Sequence, residues 1–160
     1  MTERRVIVVG GGAAGLVAAI AAARGGGPVL LPERMPRLGK KLLATGNGRC
    51  NLANARLDLA RYHGADPTFP GAALARFGLP ETLRFFAGLG IEPREEEGGK
   101  LFPRSGQASA VLDVLRHEVE ARGIDVRCDL EVRRLAQRGR GWEVLPAGGG
   151  EPLRGAALVL

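Results

Sequence analysis

Val6-Ile7-Val8-Val9-Gly10-Gly11-Gly12-Ala13-Ala14-Gly15 is a short apolar run that ends in the spacing G-x-G-x-x-G. The run reads as a strand, and the Ala-rich stretch Ala13 to Arg24 that follows reads as a helix. Each glycine of the spacing has its own task. Gly10 allows a tight turn out of the strand, Gly12 lets the backbone approach a pyrophosphate, and Gly15 lets the helix pack closely. A pyrophosphate would rest on the helix N-terminus, where backbone N–H groups and the macrodipole favour negative charge. A breaker, Gly25-Gly26-Gly27-Pro28, then leads to a second apolar run, Pro28-Val29-Leu30-Leu31-Pro32, which ends at Glu33. An acid at that place suits a ribose hydroxyl, so strand, loop, helix and acid together specify a dinucleotide site.

Working outward, Gly39–Thr45 is compatible with a short helix followed by an irregular turn at Gly46–Asn51, and residues 52–70 read as loop with breakers at Pro67 and Pro70. Short helices are expected at Gly71–Phe77 and Pro80–Leu89, the second with Pro80 in its first turn and Gly90 at its end. Ile91 to Phe102 reads as a hairpin around Gly98-Gly99, with Glu95, Glu96 and Glu97 on an exposed arm. Ser105 or Gly106 opens an amphipathic helix to Arg122, with Val111, Leu112, Leu115 and Val119 on one stripe and Gly123 as its cap. Ile124–Cys128 then supplies the third strand of the nucleotide-binding sheet, with Cys128 in the core. Three antiparallel strands complete the chain, at Glu131–Gln137, Trp142–Leu145 and Leu153–Leu160. The expected class is α/β: a Rossmann-like parallel sheet with a three-stranded antiparallel meander, in the manner of glutathione reductase. Residues 1–160 are expected to form one N-terminal nucleotide-binding domain, incomplete, with a long insertion at about 34–106 between its second and third strands. The final apolar residues, Gly155–Leu160, end without turn or cap, as expected of a truncated chain.

The 160 residues can bury a core, and 25 glycines with 45% hydrophobic residues suit a glycine-turned α/β domain. The formal net charge is +6. Arg116, Arg122, Arg127, Arg133, Arg134, Arg138 and Arg140 crowd the second half. A nucleic-acid surface is one reading, and arginine as the default surface cation is the other. With aromatics at only 4%, the second is favoured. Two distant cysteines, Cys50 and Cys128, suggest neither a disulfide framework nor a zinc site. Arg4-Arg5 before an apolar stretch imitates an export signal, but Gly10–Gly12 interrupt the stretch and Glu3 precedes the arginines. No run of ~18 apolar residues spans a membrane. A cytoplasmic location is expected, with no membrane or metal partner and the oligomeric state left open.

Gly39-Lys40-Lys41-Leu42-Leu43-Ala44-Thr45-Gly46-Asn47-Gly48-Arg49-Cys50-Asn51-Leu52-Ala53-Asn54 resembles the G-x-K-x-L-x-S-G-x-G-R-C-N-x-T-N block of the BaiN/RdsA-like family of NAD(P)/FAD-dependent oxidoreductases. Gly99-Lys100-Leu101-Phe102-Pro103-Arg104-Ser105, with Ala108-Ser109, is similar to its G-x-x-F-P-x-S…A-S element. The resemblance extends over essentially the whole chain and implies an N-terminal FAD-binding part. It implies that Gly10, Gly12, Ala13, Ala14 and Gly15 bind the FAD pyrophosphate and that Glu33 binds the adenosine ribose. Arg34 and Lys41 would lie along the phosphates or adenine, and Val132 would meet the adenine through its backbone. Gly48, Arg49, Cys50 and Asn51 would approach the flavin ring, where Arg49 could stabilise negative charge. Alternatively, Arg49 and Asn51 hold a loop shut, and Cys50 is a buried packing thiol. Thr45 and Ala53 depart from the usual Ser and Thr. Pro32 removes a ladder donor, so the second strand is expected to fray at its end.

His63 and His117 are expected at the surface. No residue stands out as a catalytic acid or base. The resemblance implies a flavin-dependent oxidoreductase with NAD(P)H as the expected electron donor and a small-molecule substrate. A flavin-dependent RNA-modifying reductase of dihydrouridine type is the alternative, and an inactive fragment a further one.

Overall fold

The computed structural model describes residues 4–160, so Glu3 lies outside it. The chain divides into two compact units, Met1–Leu42 with Leu115–Leu160, and Leu43–Val114.

The first unit is built on a parallel sheet. Strands β1 (Val6–Val8) and β2 (Val29–Pro32) flank helix α1 (Ala13–Arg24) in sequence. They pair in parallel, with Val6 beside Val29 and Ile7 beside Leu30. All four residues of β2 are buried, which is why the run is continuously apolar and not alternating. Helix α1 turns Leu16, Ala19 and Ile20 into the core at helical spacing. Each fully buried Leu or Ile contributes about 1.5–3 kcal/mol.

Pro32 does not fray this strand. It is fully buried and sits opposite Arg127. Its carbonyl accepts from Gly10 N at 2.9 Å, and Glu33 N donates to Arg127 O at 2.9 Å. The lost N–H is one position in a ladder whose neighbours on both sides remain paired.

The second unit holds a small antiparallel sheet in the order β3-β5-β4, from β3 (Ala53–Asn54), β4 (Pro93–Glu95) and β5 (Lys100–Pro103). The hairpin between Ile91 and Phe102 is therefore present, and β3 is an added strand within residues expected to be loop. Two residues are too short a run for sequence periodicity to register. Helices α2 (Gly71–Arg76) and α3 (Leu79–Ala87) follow the expected places. At the start of α3, the Glu81 carboxylate accepts from Gly78 N at 3.0 Å, which puts the cap two residues before Pro80.

Helix α4 (Ala108–Ala121) starts later than Ser105 or Gly106. Gly106 has φ +65° and its N–H donates to Pro103 O at 2.8 Å, so a turn occupies these residues. Its expected stripe of Val111, Leu112, Leu115 and Val119 is buried.

After α4, β6 (Asp125–Arg127) joins β2 in parallel. Cys128 lies just past this strand and is half-buried, so it is not a core residue as expected. The meander comprises β7 (Val132–Arg138), β8 (Gly141–Pro146) and β9 (Leu153–Gly155). The terminal run Leu153–Leu160 is not one antiparallel strand. It breaks at Ala156, and β10 (Ala157–Val159) crosses to pair in parallel with β1, giving the order β10-β1-β2-β6. Gly155 makes the crossing possible, because a Cβ there would lie 2.8 Å from both Arg5 O and Ile7 Cγ1. Meander and parallel sheet share one core of Ile7, Leu30, Val144 and Leu153.

Candidate functional site

In the first unit, the chain leaves β1 through Gly10 at φ +97°, a conformation that side-chain-bearing residues rarely adopt. Gly12 caps α1. A Cβ on Gly15 would lie 1.7 Å from Gly10 O, so the helix approaches the turn at a distance only glycine permits. A Cβ on Gly12, by contrast, would meet no described atom within 4 Å. The cradle is open there, and Ala13 and Ala14 of the first helical turn are exposed beside it. The first-turn N–H groups lack intrahelical acceptors by helix geometry, which suits a pyrophosphate.

Glu33 reaches this loop. Its Oε2 accepts from Gly11 N at 2.5 Å and its Oε1 from Met35 N at 2.7 Å. The carboxylate is thus oriented before any ligand arrives. A cleft of about 240 Å³ collects Val9, Gly10, Pro32, Glu33, Arg34, Leu130, Glu131 and Val132. Four residues expected at a nucleotide site, Gly10, Glu33, Arg34 and Val132, therefore line one cavity. Leu130 is held there by its N–H to Glu33 O at 2.9 Å. Lys41 is exposed in the same unit but does not line this cleft.

In the second unit, Gly46, Asn47 and Gly48 have φ of +56°, +55° and +82°, and Cys50 follows at +61°. A Cβ on Gly46 would lie 2.8 Å from Asn51 N, which makes glycine necessary at this close approach. The Arg49 guanidinium pairs with Glu96 and stands 4.1 Å over the Phe102 ring. Glu96 also accepts from Arg94 at 2.6 Å. Hydrogen bonds from Arg49 and then Arg94 hold its carboxyl below the usual range. Glu96 is therefore half-buried and clasped, unlike the solvated hairpin arm expected for Glu95–Glu97. With its amide nitrogen facing them, Asn51 donates to Ala53 O at 2.8 Å and Leu101 O at 3.2 Å. Both side chains hold the turn against the hairpin. A cavity of about 510 Å³ is lined here by Gly46, Asn47, Arg49, Asn51, Glu96 and Phe102, among others.

Cys50 is buried, and burial pushes its thiol up while a hydrogen bond with Thr45 pulls it down. Burial also raises Cys128, helped by Asp129 and Glu33 and opposed by Arg116. His63 and His117 are exposed. Among the described residues, no group of three or more His, Cys, Asp or Glu could hold a metal, and no helix is long and apolar enough to cross a membrane.

Residues 4–160 match the family described as HI0933-like protein Rossmann domain. The chain belongs to this family. It is 44% identical over 116 residues to a 3-dehydro-bile acid delta(4,6)-reductase of Clostridium scindens, covering 72% of this chain and 28% of the relative. It is 32% identical over 109 residues to a ribosomal RNA dihydrouridine synthase of Escherichia coli, covering 68% and 27%. The chain thus spans about a quarter of the length of these curated relatives. Among solved structures, the 3-ketosteroid-delta4-(5alpha)-dehydrogenase of Rhodococcus jostii shares the fold at a TM-score of 0.69 and 20% identity, over 99% of this chain and 45% of that one.

In this HI0933-like domain, sequence reasoning missed Leu130, Glu131 and Glu96. Leu130 and Glu131 stand two and one residues before Val132, so a longer window there was the available signal. Glu96 had none, because a run of three acids does not reveal which one meets an arginine 47 positions away.

Proposed function

We propose that this HI0933-like domain holds the ADP half of FAD and is part of a flavin-dependent oxidoreductase. The observation that carries the reading is the single cleft shared by Gly10, Glu33, Arg34 and Val132 beside the open cradle at Gly12. Gly12, Ala13 and Ala14 would receive the pyrophosphate, Glu33 the ribose hydroxyls, and Val132 the adenine. Bound FAD would supply hydride transfer, with NAD(P)H as electron donor. The chain's own residues bind and orient: Gly15 keeps α1 against the loop, and Gly11 and Met35 aim the Glu33 carboxylate. Arg49 and the Gly46–Asn51 turn are assigned to the flavin ring by the motif resemblance. There the guanidinium would balance negative charge and Cys50 would serve packing.

The relatives are named a delta(4,6)-reductase and a dihydrouridine synthase. Reduction of a carbon–carbon double bond in a small molecule is the proposed reaction class. RNA is the second reading, favoured by the exposed Arg133, Arg134, Arg138 and Arg140.

The visible spectrum of the purified full-length gene product, as isolated and after addition of FAD, tests the proposal. Flavin absorption that survives desalting is expected. A colourless protein that does not reconstitute contradicts it. For the RNA reading, affinity for ribosomal RNA that falls steeply with salt supports it, and absent or salt-insensitive binding removes it.

A further inference from the structure

Gly11 occupies a variable position of the G-x-G-x-x-G spacing, yet in the structure a Leu38 methyl stands where a side chain would go. A Cβ on Gly11 would lie 2.2 Å from Leu38 Cδ2 and 3.3 Å from the Glu33 carboxylate. The cause is the segment from Glu33 to Gly39, which folds back over the glycine loop as a strap without regular secondary structure. Three ties join strap and loop. Gly11 N donates to Glu33 Oε2 at 2.5 Å, Gly39 N donates to Gly11 O at 2.7 Å, and the Leu38 side chain, 8% exposed, covers Gly11.

A fourth contact ties the strap to a helix. Arg116 Nη2 donates to Leu38 O at 2.6 Å, across 78 positions of sequence. Arg116 stands on α4 beside Leu115, which is 1% exposed, and three residues before Val119, which is 3% exposed. The core therefore fixes the backbone that carries it. A charged donor on a backbone carbonyl is among the stronger hydrogen bonds, and this one is half-buried.

We infer that Arg116 is a positioning residue of the nucleotide site. It holds the Leu38 carbonyl, Leu38 holds the strap over Gly11, and the strap sets the Glu33 carboxylate at the ribose position. The inference rests on the reading of this cleft as the ADP-binding half of a dinucleotide site. Arg116 itself does not line the cleft, so its effect passes through Leu38, Gly11 and Glu33.

The test is ADP titration of this chain followed by backbone amide shifts. Thermal unfolding and circular dichroism are measured on each variant. Arg116→Met is expected to weaken ADP about tenfold, which corresponds to about 1.4 kcal/mol. In a Glu33→Ala background the same substitution should cost less than about twofold, because both act on one contact chain. A second variant keeps the inference testable should Arg116→Met fold poorly. Leu38→Ala, which removes the cover over Gly11 and leaves Arg116 in place, should weaken ADP in the same direction. Wild-type affinity in Arg116→Met overturns the inference, as does full additivity with Glu33→Ala or wild-type affinity in Leu38→Ala. If the wild-type chain itself does not bind ADP, the nucleotide reading falls and takes this inference with it.

Discussion

The glycine loop of the first unit and the Gly46–Asn51 turn of the second are both glycine-rich and both irregular, but they are held in different ways. At the loop the constraint is steric. Gly15 and Gly11 are hemmed in by Gly10 O and Leu38, and the backbone itself makes the bonds to Glu33 and Gly39. At the turn side chains add to the steric limit at Gly46, with Arg49 drawn to Glu96 and Asn51 to the carbonyls of Ala53 and Leu101. Backbone packing fixes a shape that a ligand enters unchanged. Ion pairs fix one that a competing charge can reopen. The loop is therefore preformed, and the turn is adjustable.

The largest expected effect lies at the loop. Gly15→Ala should gain about 1 kcal/mol of helix propensity, yet the clash at 1.7 Å outweighs it. A net destabilisation of about 2–3 kcal/mol is expected from urea unfolding, together with loss of ADP binding. An unchanged midpoint would show that the loop is not sterically fixed. Next, Glu33→Ala should weaken ADP about tenfold and cost about 1–3 kcal/mol of stability, because Gly11 N and Met35 N lose their acceptor. Wild-type affinity in that variant would remove the assignment of the ribose to Glu33.

The contrast also explains what could be read from the chain. The turn at Gly10 and the close approach at Gly15 were legible because a positive φ and a tight backbone contact both require glycine, and the strand end places Glu33 beside them. The parallel sheet was legible through the apolar runs at Val6–Val9 and Val29–Leu31. The crossing at Ala156 was not, because an unbroken apolar stretch hides a change of partner strand from antiparallel β8 to parallel β1. The role of Glu96 was not legible either, since an ion pair between distant residues leaves no local pattern. Cys128 was misplaced by a single position at a strand end, where a one-residue shift changes burial.

A smaller effect is expected at the turn. Its carboxylate Glu96 is held below its ordinary value of 4.5, first by Arg49 and then by Arg94. A lowered folded value stabilises the fold above the ordinary value, and that contribution is lost as pH falls through the folded one. Wild type and Glu96→Gln should therefore differ in unfolding midpoint at neutral pH and converge in strong acid. A difference that persists unchanged into strong acid would show that the Glu96 charge does not hold the turn. The smallest effect concerns the thiols. Iodoacetamide should label half-buried Cys128 before buried Cys50 in the native chain, with the order read by peptide mass. Faster labelling of Cys50 would mean that the turn opens readily.

The most direct measurement is the map of backbone amide shifts when ADP is added to the wild-type chain. The preformed loop predicts that Gly10, Gly12, Ala13, Ala14, Glu33 and Val132 shift together and saturate with one affinity, while Gly46–Asn51 stay in place. Saturable shifts confined to other residues, or none at millimolar ADP, would contradict the account.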